Sequence, residues 1–246
     1  FRRQRQMCIR DSTCKVADDV NGRYFTEEMG AAGITLNSSC LSADTTASSG
    51  QCLVMISDDA ERTMCTDLGI SASLAARDLD EAQLSKAEIY YVEGYLSSSE
   101  EGTAAAMAAH TVASANNVRT AVSLSDISMV TIFKENLLRI LGNGVHSLFC
   151  NEEEALSWAS TDRLDVAIAE LKDIAQEVYI TLGANGSAVI DQAGHQQQAP
   201  GLAVSPIDTN GAGDIYAGAC LAARSQGAES IDCLLYTSDA ADETTG

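Results

Sequence analysis

The strongest constraint on the fold is a regular alternation of short apolar runs with longer helix-like runs between residues 89 and 190. Short runs rich in β-branched and aromatic residues predict strands, and the longer segments between them have helical spacing. The predicted strands are Ile89–Val92, Ala121–Leu124, Val145–Cys150, Val178–Leu182 and Ser187–Ile190. The predicted helices are an alanine-rich helix at 104–115, capped by Ser98 or Ser99, and helices at 130–141, from Glu152 and at 164–177.

This alternation predicts an α/β domain whose mostly parallel sheet carries helices on both faces. Before it, a helix near Tyr24–Gly30 and two strands, Gln51–Ile56 and Arg62–Cys65, joined by a turn at Asp58–Asp59, predict a small β-rich region. In parallel sheets, ligands bind beyond the carboxyl ends of the strands. Three such ends carry polar or glycine residues, which could therefore converge: Asn151, Gly183, and the run 208–214 after a strand at 202–204.

Composition excludes several classes of function. The formal net charge of −20 argues against nucleic-acid binding, which needs basic patches. No apolar run approaches the roughly 20 residues that span a membrane, and no apolar signal-peptide core follows the basic start. The eight cysteines are scattered without a Cys-x-x-Cys pair, which favours buried, reduced thiols and a cytoplasmic protein over disulfides or zinc sites. His110, His146 and His195 show no metal-ligand spacing.

The run Asp208-Thr209-Asn210-Gly211-Ala212-Gly213-Asp214 combines a glycine-rich turn with a carboxylate at the start of an apolar helical segment. Glycines let an anion approach the backbone, and a helix start offers unpaired N–H groups and a positive dipole end. This pattern predicts a phosphate site with a general base beside it. The structural alternative is a loop closed by an aspartate near a helix N-cap.

Three further patterns are weaker. Asn151-x-x-Glu154 has the spacing of a helix capping box, which is its structural interpretation. The Gly-x-x-Gly in 181–186 follows a strand and could let a nucleotide approach the backbone. Arg62 is one of few cations outside the termini and could hold a transferring phosphoryl group, or could be a solvated charge in a turn.

Taken together, these motifs resemble those of the PfkB (ribokinase-like) carbohydrate kinases. The run at 208–214 resembles the carboxy-terminal signature of that family, and Asn151-x-x-Glu154 resembles its second motif, in the expected order. The adenosine kinase branch is the most similar, through the segments 59–64, 91–95 and 148–155. The resemblance covers about residues 18–230 and implies a ribokinase-like, three-layer αβα fold with a small β lid that includes residues 45–64.

The resemblance also implies ATP-dependent phosphorylation of a primary hydroxyl of a small molecule, a nucleoside or sugar, with adenosine to AMP as the leading expectation. Asp214 would be the general base, the amides of Gly211, Ala212 and Gly213 the anion hole, and Arg62 a second phosphate contact. Mg²⁺ would be held through water, with no direct side-chain ligand, and Tyr95 would line the substrate base. The expected residues of the ATP and Mg²⁺ site are Asn151, Glu154, Thr181, Gly183, Gly186, Thr209 and Asn210.

The two ends differ in character from the rest. Residues 1–14 and 233–246 are expected to be non-native or disordered segments around a partial kinase core at 15–232. By the resemblance, the lid and the amino-terminal part are incomplete, as are a sugar-binding aspartate and part of the adenine site, so we expect the chain alone to be poorly active. The alternatives are a fructokinase or ribokinase and an inactive nucleotide-binding fragment. A nicotinamide oxidoreductase is disfavoured because no Gly-x-Gly-x-x-Gly follows a strand.

Overall fold

The computed structural model describes residues 10–42, 44, 46–56, 62–201, 203, 209–229 and 233 of the chain. The predicted turn at Asp58–Asp59, most of the predicted strand at 202–204 and Asp208 lie outside the described residues. None of the helices in the described part is long and apolar enough to cross a membrane.

The amino-terminal part contains one helix and three small two-stranded pairings, β1 with β3, β2 with β4 and β5 with β6, within the described residues. Asp19 caps the helix by accepting from Gly22 N at 2.8 Å, and it also accepts from Ser49 N at 2.8 Å and Ser49 Oγ at 2.7 Å. These bonds lower the pKa of Asp19 to about 2 and fix the segment that leads into β5. The elements are β1 (Arg10–Ser12), β2 (Val16–Ala17), α1 (Val20–Ala31), β3 (Ile34–Leu36), β4 (Leu41–Ser42), β5 (Gln51–Ile56) and β6 (Arg62–Asp67).

A six-stranded sheet follows, with the strand order β12-β11-β10-β9-β8-β7. Its strands β7 to β10 are parallel, and β11 and β12 are antiparallel additions at one edge, as the strand–helix alternation predicts. The strands are β7 (Ile89–Glu93), β8 (Arg119–Ser123), β9 (Val145–Asn151), β10 (Ala175–Thr181), β11 (Ser187–Ile190) and β12 (Gln196–Ala199). The helices are α2 (Glu81–Leu84), α3 (Glu100–Ala115), α4 (Ile127–Ile132), α5 (Lys134–Leu141), α6 (Glu152–Trp158), α7 (Leu164–Lys172) and α8 (Ala212–Ser225).

Two predicted helices differ from the structure. The single helix expected at 130–141 is two helices, α4 and α5, which are separated at Phe133. The helix expected to run to residue 177 ends at Lys172, and β10 begins at Ala175. Ala175 pairs with Val145 of β9, so residues that the helical pattern assigned to the helix belong to the sheet. Glu177, which the sequence pattern predicts to be helical, accepts a hydrogen bond from Arg224 Nη2 at 2.8 Å. Its partner lies 47 residues away, so tertiary contact overrides the local preference here.

Two apolar clusters cover the two faces of the sheet and produce three layers. On one face, the helices α3 to α7 bury strand residues including Val122, Leu148 and Ile180. On the other face, α8 packs through Tyr216 and Cys220. The three-layer αβα arrangement predicted from the sequence is therefore present, and the parallel strands run buried through its centre.

Candidate active site

The carboxyl ends of the four parallel strands lie along one edge of the sheet. Their last residues are Glu93, Ser123, Asn151 and Thr181. Glu93 pairs with Ser123, and Asn151 pairs with Thr181, so the ends are in register across each pair. The convergence predicted from the sequence is therefore confirmed for Asn151 and for the turn that follows Thr181.

The glycine-rich turn begins α8. Gly211 is its N-cap residue, with φ +76° and ψ 1° in the left-handed region that favours glycine. A Cβ built on Gly211 or Gly213 would meet no atom within 4 Å, so the space above this turn is open. Asp214 lies exposed in the first helical turn. An open helix start that carries a carboxylate combines an anion-binding surface with a proton acceptor.

Aromatic packing fixes the position of this turn over the sheet. Tyr216, two residues after Asp214, packs edge-on against Phe149, with ring centroids 6.5 Å apart. Phe149 in turn stacks on Tyr179 at 4.8 Å. Phe149 precedes Asn151 by two residues in β9, so the first turn of α8 is held close to the end of that strand.

Asn151 and Glu154 form a reciprocal capping box at the start of α6. Asn151 Oδ1 accepts from Glu154 N at 2.8 Å, and Glu154 Oε2 accepts from Asn151 N at 3.1 Å. Asn151 Nδ2 also donates to Glu154 Oε1 at 2.9 Å. Glu154 is only 5% exposed whereas Asn151 is exposed, so Asn151 faces solvent and Glu154 holds it in place. The structural interpretation is confirmed, and the role toward Mg²⁺ stays a prediction.

The turn after β10 needs its glycines for different reasons. Gly186 has φ +90°, and a Cβ there would lie 2.0 Å from the carbonyl oxygen of Ala199. Gly183 has φ +55°, yet a Cβ would meet no atom within 4 Å. Gly186 is thus required by the close approach of β12, whereas the open space at Gly183 leaves the backbone accessible to a ligand. The assignment of both residues to an ATP site stays a prediction.

Glu93 and Ser125 are site residues that the sequence did not single out. Ser125 Oγ donates to Glu93 Oε2 at 3.2 Å and accepts from Gly94 N at 2.8 Å. Ser125 has φ +70°, a strained conformation that these bonds hold in place. Burial raises the pKa of Glu93, and the nearby charge of Asp214 raises it further. The available signal was a carboxylate at the end of the predicted strand Ile89–Val92.

Comparison with known sequences decides the family. Residues 10–246 match the sequence profile described as pfkB family carbohydrate kinase. This chain belongs to the pfkB family. The match includes the glycine turn of α8, the Asn151–Glu154 box and the β5–β6 segment.

The pfkB-family chain is similar to an adenosine kinase from Schizosaccharomyces pombe, with 28% identity over 204 residues. That match covers 76% of this chain and 59% of the yeast enzyme, so the chain spans less than two thirds of that relative. Among solved structures, adenosine kinase from Sinorhizobium meliloti superimposes with a TM-score of 0.84 at 28% identity, covering 91% of this chain and 68% of that one.

A chain from E. coli assigned as a ribokinase II, solved in complex with ATP and Mg²⁺, superimposes with a TM-score of 0.83. It shares 21% identity, and the match covers 93% of this chain and 74% of that one. At that identity the likeness shows the fold alone. It confirms the ribokinase-like architecture that the sequence predicted.

Two further predicted residues, Arg62 and Tyr95, come from β6 and from the segment after β7. Arg62 begins β6, where its backbone pairs with Ile56, and its contact with a phosphate stays a prediction. Tyr95 follows β7 and is 42% exposed, and its hydroxyl donates to the carbonyl oxygen of Ser125 at 3.2 Å. Tyr95 is thus tied to Ser125, the residue that also bonds Glu93, and its role toward the substrate base stays a prediction.

A separate groove of about 520 Å³ lies at the opposite edge of the sheet, near the amino ends of β9 and β10. No predicted site residue lines it, and the candidate chemistry lies at the carboxyl edge. Burial lowers the pKa of His146 in this groove, opposed by the charge of Glu177 and reinforced by Arg119 and Arg224. The groove is lined by His146, Gln176, Glu177, Asp191, Gln192 and Ala193.

Proposed function

We propose that this pfkB-family protein transfers the γ-phosphoryl group of ATP to a primary hydroxyl of a nucleoside, with adenosine to AMP as the leading reaction. The observation that carries the proposal is the start of α8. There, an exposed Asp214 stands in the first turn of a helix that begins at a left-handed glycine, over the carboxyl edge of the sheet. This arrangement supplies a base and an anion-binding surface within one turn of helix.

In the proposed reaction, Asp214 accepts the proton of the attacking hydroxyl as its oxygen bonds to the γ-phosphorus and ADP leaves. The amides of Gly211 and Gly213, aided by the positive end of the α8 dipole, stabilise the negative charge on the phosphoryl oxygens. The amide of Ala212, the third predicted donor, donates to the carbonyl oxygen of Thr209 at 3.2 Å and would have to leave that bond to contribute. Positioning and electrostatic stabilisation of this kind provide most of the catalysis in phosphoryl transfer.

The residues present fit Mg²⁺ and ATP at the neighbouring strand ends. Asn151 is exposed, and its side-chain oxygen, positioned by the buried Glu154, would hold Mg²⁺ through water. When bound, Mg²⁺ would neutralise phosphate charge. Thr181, Gly183, Gly186, Thr209 and Asn210 would line the nucleotide.

Adenosine is favoured as acceptor by the two 28% similarities to adenosine kinases, in sequence and in structure. Tyr95 supports it, because an exposed ring at the site edge can stack on a purine. A sugar kinase of the ribokinase or fructokinase type is the second candidate, since a ribokinase II shares the fold. A fragment that binds nucleotide without turnover is the third, since the chain covers 59% of its yeast relative.

Substitution of the base tests the mechanism in a version extended to the length of its relatives. Asp214→Asn keeps the shape and is expected to lower kcat roughly 10²- to 10⁴-fold with little change in ATP affinity. Glu135→Gln is the matched control, because Glu135 is also an exposed carboxylate in the first turn of a helix. Near-normal turnover in Asp214→Asn would overturn the general-base assignment.

A substrate panel tests the acceptor. With ATP and Mg²⁺, adenosine, ribose and fructose are compared by kcat/KM, and adenosine is expected to give the highest value. A preference for either free sugar contradicts the nucleoside proposal while preserving the kinase assignment. Nucleotide binding by calorimetry with no phosphorylated product from any acceptor supports the binding-fragment alternative.

A further inference from the structure

Cys14 and Cys40 form a close thiol pair outside the candidate active site. Their Sγ atoms are 3.3 Å apart, and both cysteines are free. Cys40 is 3% exposed, whereas Cys14 is half-buried and therefore accessible from solvent. Twenty-six positions separate the two residues along the chain, so the pair closes a long loop.

The backbone holds the two cysteines in place through Asn37. Cys14 N donates to Asn37 Oδ1 at 3.0 Å, and Cys40 N donates to the carbonyl oxygen of Asn37 at 3.0 Å. The neighbouring strands add a direct link, because Val16 N donates to the carbonyl oxygen of Cys40 at 2.8 Å. The sulfurs are neighbours because the fold fixes both main chains, and they need to approach by roughly 1.3 Å more to reach the length of a disulfide bond.

We propose that Cys14 and Cys40 are a reversible modification site that closes to an intramolecular disulfide by exchange with a low-molecular-weight disulfide such as oxidised glutathione. The accessible Cys14 thiolate attacks one glutathione sulfur, forming a mixed disulfide and releasing one reduced glutathione. The Cys40 thiolate then attacks Cys14 Sγ, forming the protein disulfide and releasing the second reduced glutathione. Two protein thiols are oxidised and one glutathione disulfide is reduced.

The surroundings favour a disulfide over a metal site. Within the described residues, no group of three or more His, Cys, Asp or Glu side chains could hold a metal ion.

Burial and the neighbouring Cys40 raise the pKa of Cys14 to about 12, so the attacking thiolate is scarce at neutral pH. The exchange is therefore slow at neutral pH and accelerates as the pH rises.

The position of the pair gives the disulfide a structural consequence. β2 begins two residues after Cys14 and leads to Asp19, whose carboxylate holds Ser49 just before β5. A Cys14–Cys40 bond would fasten β2 to β4 at the base of the segment that carries the β5–β6 hairpin. Closure of a loop of this size is expected to raise the melting temperature by roughly 5–10 °C, reversibly on reduction.

The test uses the intact chain incubated at pH 8 with oxidised glutathione, then alkylated and digested. Cleavage before Asp44 separates the Cys40 peptide from that of Cys52. The expected product is a Cys14–Cys40 linked peptide, lighter than the two thiol peptides by two hydrogen atoms. The Cys52→Ser variant, which removes an exposed cysteine bonded only to a threonine hydroxyl in the described contacts, should keep the linkage.

The linkage should disappear in Cys14→Ser, and Cys40→Ser should stop at the mixed disulfide on Cys14. Mapping of the unsubstituted chain keeps the test decisive if either variant fails to fold. Full alkylation of both cysteines after oxidation, a mixed disulfide on Cys14 that never resolves, or linkage of Cys14 to a different cysteine would each overturn the proposal.

Discussion

The central sheet and the β5–β6 hairpin have similar apolar strand sequences but opposite environments. Leu148 in β9 is 0% exposed, whereas Leu53 in β5 is 63% exposed. Helices cover both faces of the sheet, while β5 and β6 pair only with each other among the described residues. The comparison teaches that a β-strand sequence predicts pairing, whereas burial depends on which layers pack against the strand.

Most of the candidate site lies on the packed central sheet and α8, not on the exposed hairpin. Asn151 and Asp214 stand at the ends of a buried strand and a packed helix, so their positions are fixed by the core. Arg62 stands in the exposed hairpin. The proposed base and the glycine turn are therefore positioned by the core, and the predicted phosphate contact from Arg62 depends on the position of the hairpin.

The largest expected effect tests the contrast itself. Leu148→Ala removes a fully buried side chain and is expected to lower the free energy of unfolding by about 2–5 kcal/mol. The matched Leu53→Ala change should alter it by no more than about 0.5 kcal/mol. Urea titration monitored by circular dichroism measures both. Equal losses of unfolding free energy in the two variants would show that Leu53 is buried in solution and would contradict the difference between the sheet and the hairpin.

The second effect tests whether the site is built on the core. Asn151→Ala removes the two hydrogen bonds that the Asn151 side chain makes with Glu154 and is expected to cost about 1–2 kcal/mol of unfolding free energy. Asn151→Ser, which keeps an oxygen acceptor for Glu154 N without placing a second carboxylate beside Glu154 Oε1, should recover most of that loss. The same urea titration reports it. An unchanged stability in Asn151→Ala would mean that the bonds of the Asn151 side chain to Glu154 do not stabilise this strand end.

A smaller loss of stability is expected on acidification, and it comes from His146 at the amino ends of the strands. The folded-state pKa of His146 lies below 6.5, so the folded protein resists protonation that the unfolded chain accepts. The contribution of neutral His146 to the free energy of unfolding is therefore complete above pH 6.5, and it is lost as the pH decreases from 6.5 through the lowered pKa. Burial, Arg119 and Arg224 disfavour the positive charge of protonated His146, and Glu177 favours it.

Thermal melts between pH 7 and pH 5 measure this loss. His146→Gln should flatten the dependence, whereas His195→Gln, at an exposed histidine, should leave it in place. A dependence that survives in His146→Gln would assign the titration to another group.

The smallest effect is a gain. Burial and Asp214 raise the pKa of Glu93, so its charged form costs stability above the ordinary value of 4.5. Glu93→Gln retains an oxygen that can accept from Ser125 and is expected to raise the melting temperature slightly at neutral pH, with the gain vanishing as acid protonates the native carboxylate. Scanning calorimetry at pH 7 and pH 4 checks this. A loss at pH 7 would mean that the ion is compensated by contacts beyond Ser125.

Much of the fold was predictable because local patterns agreed with the final packing. The strands at Ile89–Val92, Val145–Cys150 and Ser187–Ile190 lie within one or two residues of the observed bounds. The capping box at Asn151 was also predictable, because its bonds join residues three positions apart. The end of the helix at Lys172 was not, because Ala175 and Glu177 are held in β10 by Val145 and Arg224, which are distant in the sequence.

The sequence by itself determined the alternation of strands and helices, the glycine turn before Asp214 and the family, because each is a property of neighbouring residues. Only the tertiary structure decided which carboxylates meet at the sheet edge, where Glu93 comes under the charge of Asp214. It also decided that Cys14 and Cys40 are neighbours, since Asn37 joins two segments that no local pattern relates. The physical reason is that packing between layers brings together residues whose separation along the chain carries no periodic signal.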